Sequence, residues 1–189
     1  MSLTLVKSGR DKALDAALQV LGSQGVRGLS MRAIADAAGM TAPALYWHYQ
    51  DKSALLRDVY RAVTAIYRDH VYAVLADEGA MVRLKAVLEA FRTFAVTEPH
   101  YHELLFLAQV GSNGSRRESS SIQILVDRVR DCMRQNELRE GQVASVALTV
   151  HAHALGLVML YRHHHFESEG AFAEFYRRSV ERLLVGIAR

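Results

Sequence analysis

Residues 29–52, which read LSMRAIADAAGMTAPALYWHYQDK, place the strongest constraint on the fold of this chain. Apolar residues recur at helical spacing over residues 31–38, and Gly39 follows the last of them. A glycine there can take the left-handed conformation that ends a helix without a Cβ clash. Thr41 is placed to cap a second helix, whose first turn tolerates Pro43 because that turn needs no backbone N–H donor. The segment therefore predicts two short helices joined by a tight turn.

The second of these helices, predicted over residues 42–48, combines side chains that suit duplex DNA. Its first residues are short, so its backbone can approach the floor of a groove and touch a thymine methyl group. Later tyrosine, histidine and lysine side chains can reach phosphate oxygens, and Arg32 of the first helix can reach a base edge or a phosphate. This layout predicts a helix-turn-helix. Its predicted DNA-contacting residues are Arg32, Thr41, Ala42, Pro43, Ala44, Tyr46, Trp47, His48 and Lys52.

A second interpretation is that the aromatic residues of this segment only pack inside a small helical domain. Leu45 and Tyr49 lie four residues apart on one helix face, so we expect both to be buried in either case. Burial of Pro43 and Tyr46 inside the subunit would favour the packing interpretation over DNA binding.

The stretch from Asp11 to Leu56 resembles the tetracycline-repressor (TetR) family of bacterial transcription regulators. The resemblance rests on an amphipathic first helix, a connection over residues 25–29, and the run Leu45-Tyr46-Trp47-His48-Tyr49 followed by Asp51-Lys52. It implies a three-helix DNA-binding domain over residues 1–55 and a helical ligand-binding and dimerisation domain over residues 56–189.

The family's recognition helix corresponds to residues 42–48, and its base-reading arginine to Arg32. Met31 stands where many members have threonine, which removes a hydroxyl that could contact phosphate.

Composition supports an all-α fold, because the chain has only 2 prolines and long stretches of helical periodicity. The net charge of +3 is modest, but a protein that recognises DNA through the major groove needs only a few well-placed cations. The single cysteine, Cys132, excludes an internal disulfide framework and lies in an apolar helical run that predicts a buried thiol. No signal peptide is evident, and no stretch reads as long and apolar enough to span a membrane. We therefore expect a cytoplasmic protein without a membrane partner.

Helical periodicity continues almost throughout the chain. We expect helices over residues 11–23, 52–76, 79–97, 99–109, 122–136, 141–164 and 168–188, with a Gly/Ser-rich loop over residues 111–121. The last two helices carry additional apolar faces and small residues, so they predict a homodimer interface. A helix-turn-helix normally reads two half-sites about 34–36 Å apart through a two-fold axis, and the resemblance also implies dimers. The alternative is that both faces pack inside one subunit.

The resemblance further implies a pocket for a small-molecule effector among the middle helices. Candidate lining residues combine apolar walls with a few polar groups, as ligand sites do. Aromatic side chains at helical spacing can equally form ordinary core. The candidates are Phe91, Phe94, Tyr101, Phe106, Gln109, His151 and Leu155.

The 9 histidines include a His151-Ala-His153 pair, but residues two apart on a helix point to nearly opposite sides. The i,i+4 spacing that suits zinc is missing, and we find no nucleophile elbow or phosphate-binding glycine loop. We therefore predict a non-enzymatic repressor without metal or cofactor, which binds a palindromic operator as a dimer and is released by an effector. The alternative is a helical enzyme or a metal-sensing regulator that uses the region of His151 and His153.

Overall fold

The computed structural model describes residues 8–75, 79–106 and 120–188, and helices make up most of these residues. The all-α prediction is confirmed: no strand occurs in the described ranges, where one isolated bridge joins Leu138 to Ala188. Most helix ends lie within a few residues of those predicted. The helices are α1 (Gly9–Gly28), α2 (Met31–Ala37), α3 (Ala42–His48), α4 (Lys52–Tyr72), α5 (Ala80–Thr97), α6 (Pro99–Phe106), α7 (Ser120–Arg134), α8 (Val143–Arg162) and α9 (Glu169–Ile187).

The chain forms two compact units. Of the described residues, 8–66 and 98–106 belong to the first unit, and 67–75, 79–97 and 120–188 belong to the second. Within the described residues, the chain crosses from one unit to the other at 66/67, inside α4, and at 97/98, between α5 and α6. These units differ from the predicted division after residue 55, because α6 groups with the N-terminal helices. The division into a DNA-binding domain and a ligand-binding domain stays a prediction.

The first unit is built on α1, which packs against α2, α3 and α6. Ser8 and Asp11 form a reciprocal capping box at the start of α1. The helix is interrupted at Gly25, where φ is +69°, and a Cβ at that position would lie 2.9 Å from Nδ1 of His100. Tyr101 donates its hydroxyl to the carbonyl oxygen of Leu18 at 3.3 Å. The helix α6 is therefore fixed to α1 by close packing and by one long-range hydrogen bond.

The second unit packs α5, α7, α8 and α9 around an apolar core. Tyr176 of α9 donates its hydroxyl to the carbonyl oxygen of Leu88 of α5 at 2.8 Å. The buried Arg92 of α5 pairs with Glu89 at 3.0 Å and with Glu169, the first residue of α9, at 2.8 Å. These contacts fix α9 along α5.

The helix α8 is long and apolar enough to cross a membrane by length and composition, which corrects our expectation that no stretch meets this test. Its apolar window has a mean hydropathy of 1.8, and 28% of the window is buried. One such helix is weak evidence for a membrane span. Its exposed residues are all uncharged, however. They are Ala144, Ser145, Leu148, Thr149, Ala152, Gly156 and Leu160.

Candidate nucleic-acid interface

The turn between α2 and α3 forms as the sequence predicts. The hydroxyl of Ser30 accepts the backbone N–H of Ala33 at 3.1 Å, which caps α2. Gly39 has a φ of +63° and ends α2, and the backbone N–H of Met40 closes the turn on the carbonyl oxygen of Ala35 at 2.9 Å. The hydroxyl of Thr41 caps α3. Local side-chain and backbone hydrogen bonds therefore determine where both helices begin and end.

Replacement of Gly39 tests this turn. Among the described residues none lies within 4 Å of a Cβ at Gly39, so the cost of Gly39→Ala is conformational and is expected to be about 1 kcal/mol of unfolding free energy. Gly22→Ala is the matched control in α1, where the new Cβ meets only Tyr101 at ordinary contact distances and alanine favours the helix. Thermal unfolding should show a lower midpoint for Gly39→Ala and an equal or higher one for Gly22→Ala. A midpoint for Gly39→Ala equal to that of the wild type would contradict the assigned turn.

The helix α3 presents its predicted contact residues to solvent. Leu45 and Tyr49 are buried at 0% and 1% exposure, as expected for the packing face. Tyr46 is 51% exposed and Trp47 is 84% exposed. An indole this exposed contributes little to the core of the subunit, so the packing interpretation does not account for it. The short residues at the start of α3 are exposed as well, namely Ala42, Pro43 and Ala44.

Two predicted cations flank α3. The side chain of Arg32 is 92% exposed and comes no closer than 4.0 Å to the carboxylate of Asp36. Lys52 is exposed at the first position of α4, and Asp51 caps that helix by accepting the N–H of Ala54 at 2.6 Å. Both cations are free to reach an anionic ligand at low cost, since exposed ion pairs are weak.

His48 has a neighbour that the sequence did not predict. A Cβ added at Gly9 would lie 2.2 Å from Nε2 of His48, so this imidazole lies directly against the start of α1. The ring of His48 also contacts Trp47, with centroids 4.8 Å apart. The contact with α1 limits the rotamers that His48 can adopt, and it places the start of α1 beside the end of α3.

Sequence reasoning also missed a carboxylate behind α3. Asp58 of α4 accepts hydrogen bonds from Arg10 of α1 at 2.6 Å and from the hydroxyl of Tyr49 at 3.2 Å. Burial acts to raise the pKa of Asp58, but the bond and charge of Arg10, with Tyr49 and Arg61, lower it below its usual value. Burial and the nearby Asp58 charge raise the pKa of Tyr49, so its hydroxyl keeps the proton that it donates. No local pattern could show a pair separated by 48 residues.

The predicted effector-binding residues do not all fall in one unit. In the second unit, Phe91 is buried, and its ring contacts the half-buried His151, with centroids 5.4 Å apart. Burial lowers the pKa of His151, which favours its neutral form. Phe94 is buried between the rings of Tyr67 and His70, and Leu155 is half-buried on α8.

The other predicted pocket residues lie elsewhere. Tyr101 and Phe106 belong to α6 of the first unit, where Tyr101 bonds to α1 and the Phe106 ring contacts His102, with centroids 4.9 Å apart. Gln109 and most of the predicted Gly/Ser-rich loop lie outside the described residues. A pocket lined by the full predicted set stays a prediction.

The alternative site at His151 and His153 gains no support from its surroundings. His151 faces Phe91, whereas His153 shares a hydrogen bond with the hydroxyl of Ser179 at 3.0 Å. Within the part of the chain that the structure describes, no group of three or more His, Cys, Asp or Glu side chains is placed to hold a metal ion. Cys132, at 0% exposure, is a free, buried cysteine, as predicted.

Two family models match the sequence. The model for bacterial regulatory proteins of the tetR family matches residues 13–59, and the model for the tetracyclin repressor-like C-terminal domain matches residues 84–184. The class D tetracycline repressor of Escherichia coli is 38% identical over 72 residues, which is 38% of this chain and 32% of that repressor. The chain thus covers much less than two thirds of the length of that relative.

Solved structures share the whole fold. A protein of unknown function from Rhodococcus sp. RHA1 has a TM-score of 0.79 at 22% identity and covers 100% of both chains. FadR from Bacillus subtilis, solved in complex with stearoyl-CoA, has a TM-score of 0.72 at 16% identity over 94% of this chain and 98% of that one. At these identities the similarity shows the fold alone.

Proposed function

Because the chain belongs to the TetR family of bacterial transcriptional regulators, we propose that it is a repressor that binds a palindromic operator as a homodimer and is released by a small-molecule effector. The observation that carries the proposal is the outward orientation of α3, with Tyr46 and Trp47 exposed beside uncharged short residues. Regulators of this family are not enzymes, and the surroundings of His151 and His153 suggest no other chemistry.

We assign the contacts to DNA by side-chain reach and exposure. The short start of α3 enters the major groove, where Ala42, Pro43, Ala44 and Trp47 contact base edges and thymine methyl groups. Thr41, Tyr46, His48 and Lys52 contact phosphates, and Arg32 reaches a base edge from α2.

The dimer forms through α8 and α9. The exposed residues of α8 are all uncharged, and Phe175 and Val185 of α9 are 44% and 64% exposed. The two helices pack together within one subunit and are joined by the hydrogen bond between His153 and Ser179. A second copy of the chain would cover this apolar surface and place two α3 helices about 34–36 Å apart, as two half-sites require.

The effector occupies the second unit, against the buried rings of Phe91 and Phe94 and the polar His151. Such a lining favours a largely apolar molecule with a few hydrogen-bonding groups. Effector binding favours a dimer geometry in which the two recognition helices no longer match the half-site spacing. The size of this shift depends on how differently the effector binds the two states. The change reaches the first unit along α4 and through the α5–α6 junction, where the described part of the chain crosses between the units.

Selection of bound sequences from randomised duplexes tests this function. We expect an inverted repeat bound by two chains, with an affinity that falls steeply as salt rises. Equal affinity for every duplex would contradict the proposal. Small molecules that raise the thermal midpoint of the protein should then release it from the selected operator, and a stabilising molecule that leaves DNA affinity unchanged would contradict the coupling.

A further inference from the structure

The end of α3 is held by side chains that meet at one carboxylate. Asp58 is 9% exposed. Its Oδ2 atom accepts hydrogen bonds both from Arg10 of α1 and from the hydroxyl of Tyr49, the residue that ends α3. The guanidinium of Arg10 also lies over the ring of Tyr49, 5.0 Å from its centroid. One buried group therefore joins α1, the end of α3 and α4.

This junction matters for α3 because the helix has only 7 residues. A helix that short is not stable alone, so its direction depends on the contacts at its two ends and along its buried face. Its start is held by the turn at Gly39, its buried face by Leu45, and its end by Tyr49. Of these three, only the end carries a charge-assisted network, and charge-assisted hydrogen bonds are shorter and stronger than neutral ones.

We propose that Asp58 is a positioning residue for DNA recognition, which sets the angle of α3 by holding Tyr49 and Arg10 together without touching DNA. The proposal rests on the proposed operator binding. A loosened end would let α3 tilt relative to α1 and α4. Base contacts depend on the position of each atom in the groove, whereas nonspecific binding depends mainly on the number of phosphates contacted.

Two substitutions isolate the network. Asp58→Asn keeps the shape of the side chain and removes its negative charge. Tyr49→Phe keeps the buried ring and removes only the hydroxyl. We expect Asp58→Asn to weaken binding to the selected operator about tenfold, at the low end of the loss caused by one wrong base pair. Tyr49→Phe should act in the same direction by about threefold, as one lost hydrogen bond does. Binding to nonspecific duplex should stay within error of the wild type.

Arg61→Ala is the matched control. Arg61 also pairs with Asp58, at 3.1 Å, but it comes from the same helix, and its side chain is 74% exposed. Its loss leaves the links to α1 and α3 in place, so the ratio of operator binding to nonspecific binding should not change.

The ratio also separates positioning from folding. Loss of folded protein would lower operator and nonspecific binding by the same factor, whereas a tilted α3 lowers only operator binding. An unchanged ratio in both Asp58→Asn and Tyr49→Phe would overturn the positioning role while leaving the proposed function intact. A wild-type protein without any preferred duplex would instead overturn the proposed function and, with it, this role.

Discussion

Gly156→Arg is expected to convert the protein into monomers and to abolish operator binding at concentrations where the wild type is bound. No residue that the structure describes lies within 4 Å of a Cβ at Gly156, so the isolated subunit can accommodate the new side chain. In the proposed dimer, two unpaired guanidinium groups would be buried against an apolar surface. The dissociation constant of the dimer should therefore rise at least about 100-fold, since an uncompensated buried charge costs several kcal/mol.

Sedimentation velocity over a concentration series measures this effect, and circular dichroism confirms that the subunit stays folded. Gly79→Arg is the control, because it places the same side chain at an exposed position before α5, outside the two helices assigned to the dimer, where a Cβ lies 3.9 Å from Oε1 of Glu137. Gly79→Arg should stay dimeric, whereas a Gly156→Arg protein that remains a tight dimer would place the interface elsewhere.

Tyr46→Ala and Lys52→Ala are each expected to weaken operator binding about 10- to 100-fold, because each removes one contact from both half-sites of a symmetric complex. Their salt dependence should differ. Lys52→Ala removes one ammonium–phosphate contact from each of the two half-sites, so the slope of log affinity against log salt should become shallower by about 2. Tyr46→Ala removes an uncharged contact and should leave the slope close to that of the wild type.

Residues in the second unit supply matched controls. Tyr72 is 56% exposed on α4, compared with 51% for Tyr46, and Lys85 is a half-exposed lysine paired with Glu181. Tyr72→Ala and Lys85→Ala should leave operator affinity unchanged. Fluorescence anisotropy with the selected operator, repeated at several salt concentrations, measures all four variants. Undiminished affinity in both Tyr46→Ala and Lys52→Ala would exclude α3 as the recognition helix.

The sequence predicted the helix-turn-helix because the interactions that begin and end its helices are local. Ser30, Thr41 and Asp51 each cap a helix through a backbone N–H three residues away, and Gly39 needs only its own backbone freedom. Such interactions can be read from residue order, since their partners are always within one helical turn. The same reasoning correctly separated the buried Leu45 and Tyr49 from the exposed side of α3.

Contacts between distant parts of the chain were decided by tertiary packing alone. Arg10 and Asp58 are 48 residues apart, and Tyr101 and Leu18 are 83 residues apart, so no periodicity in the sequence relates them. These contacts form because of the way α1 packs against its neighbours, and the same packing groups α6 with the DNA-binding helices. Likewise, the sequence predicted an additional apolar face with small residues on α8, but only the packed subunit shows which residues of the helix stay uncovered. Local hydrogen bonds determine which residues form helices, whereas the burial of apolar surface determines which helices meet.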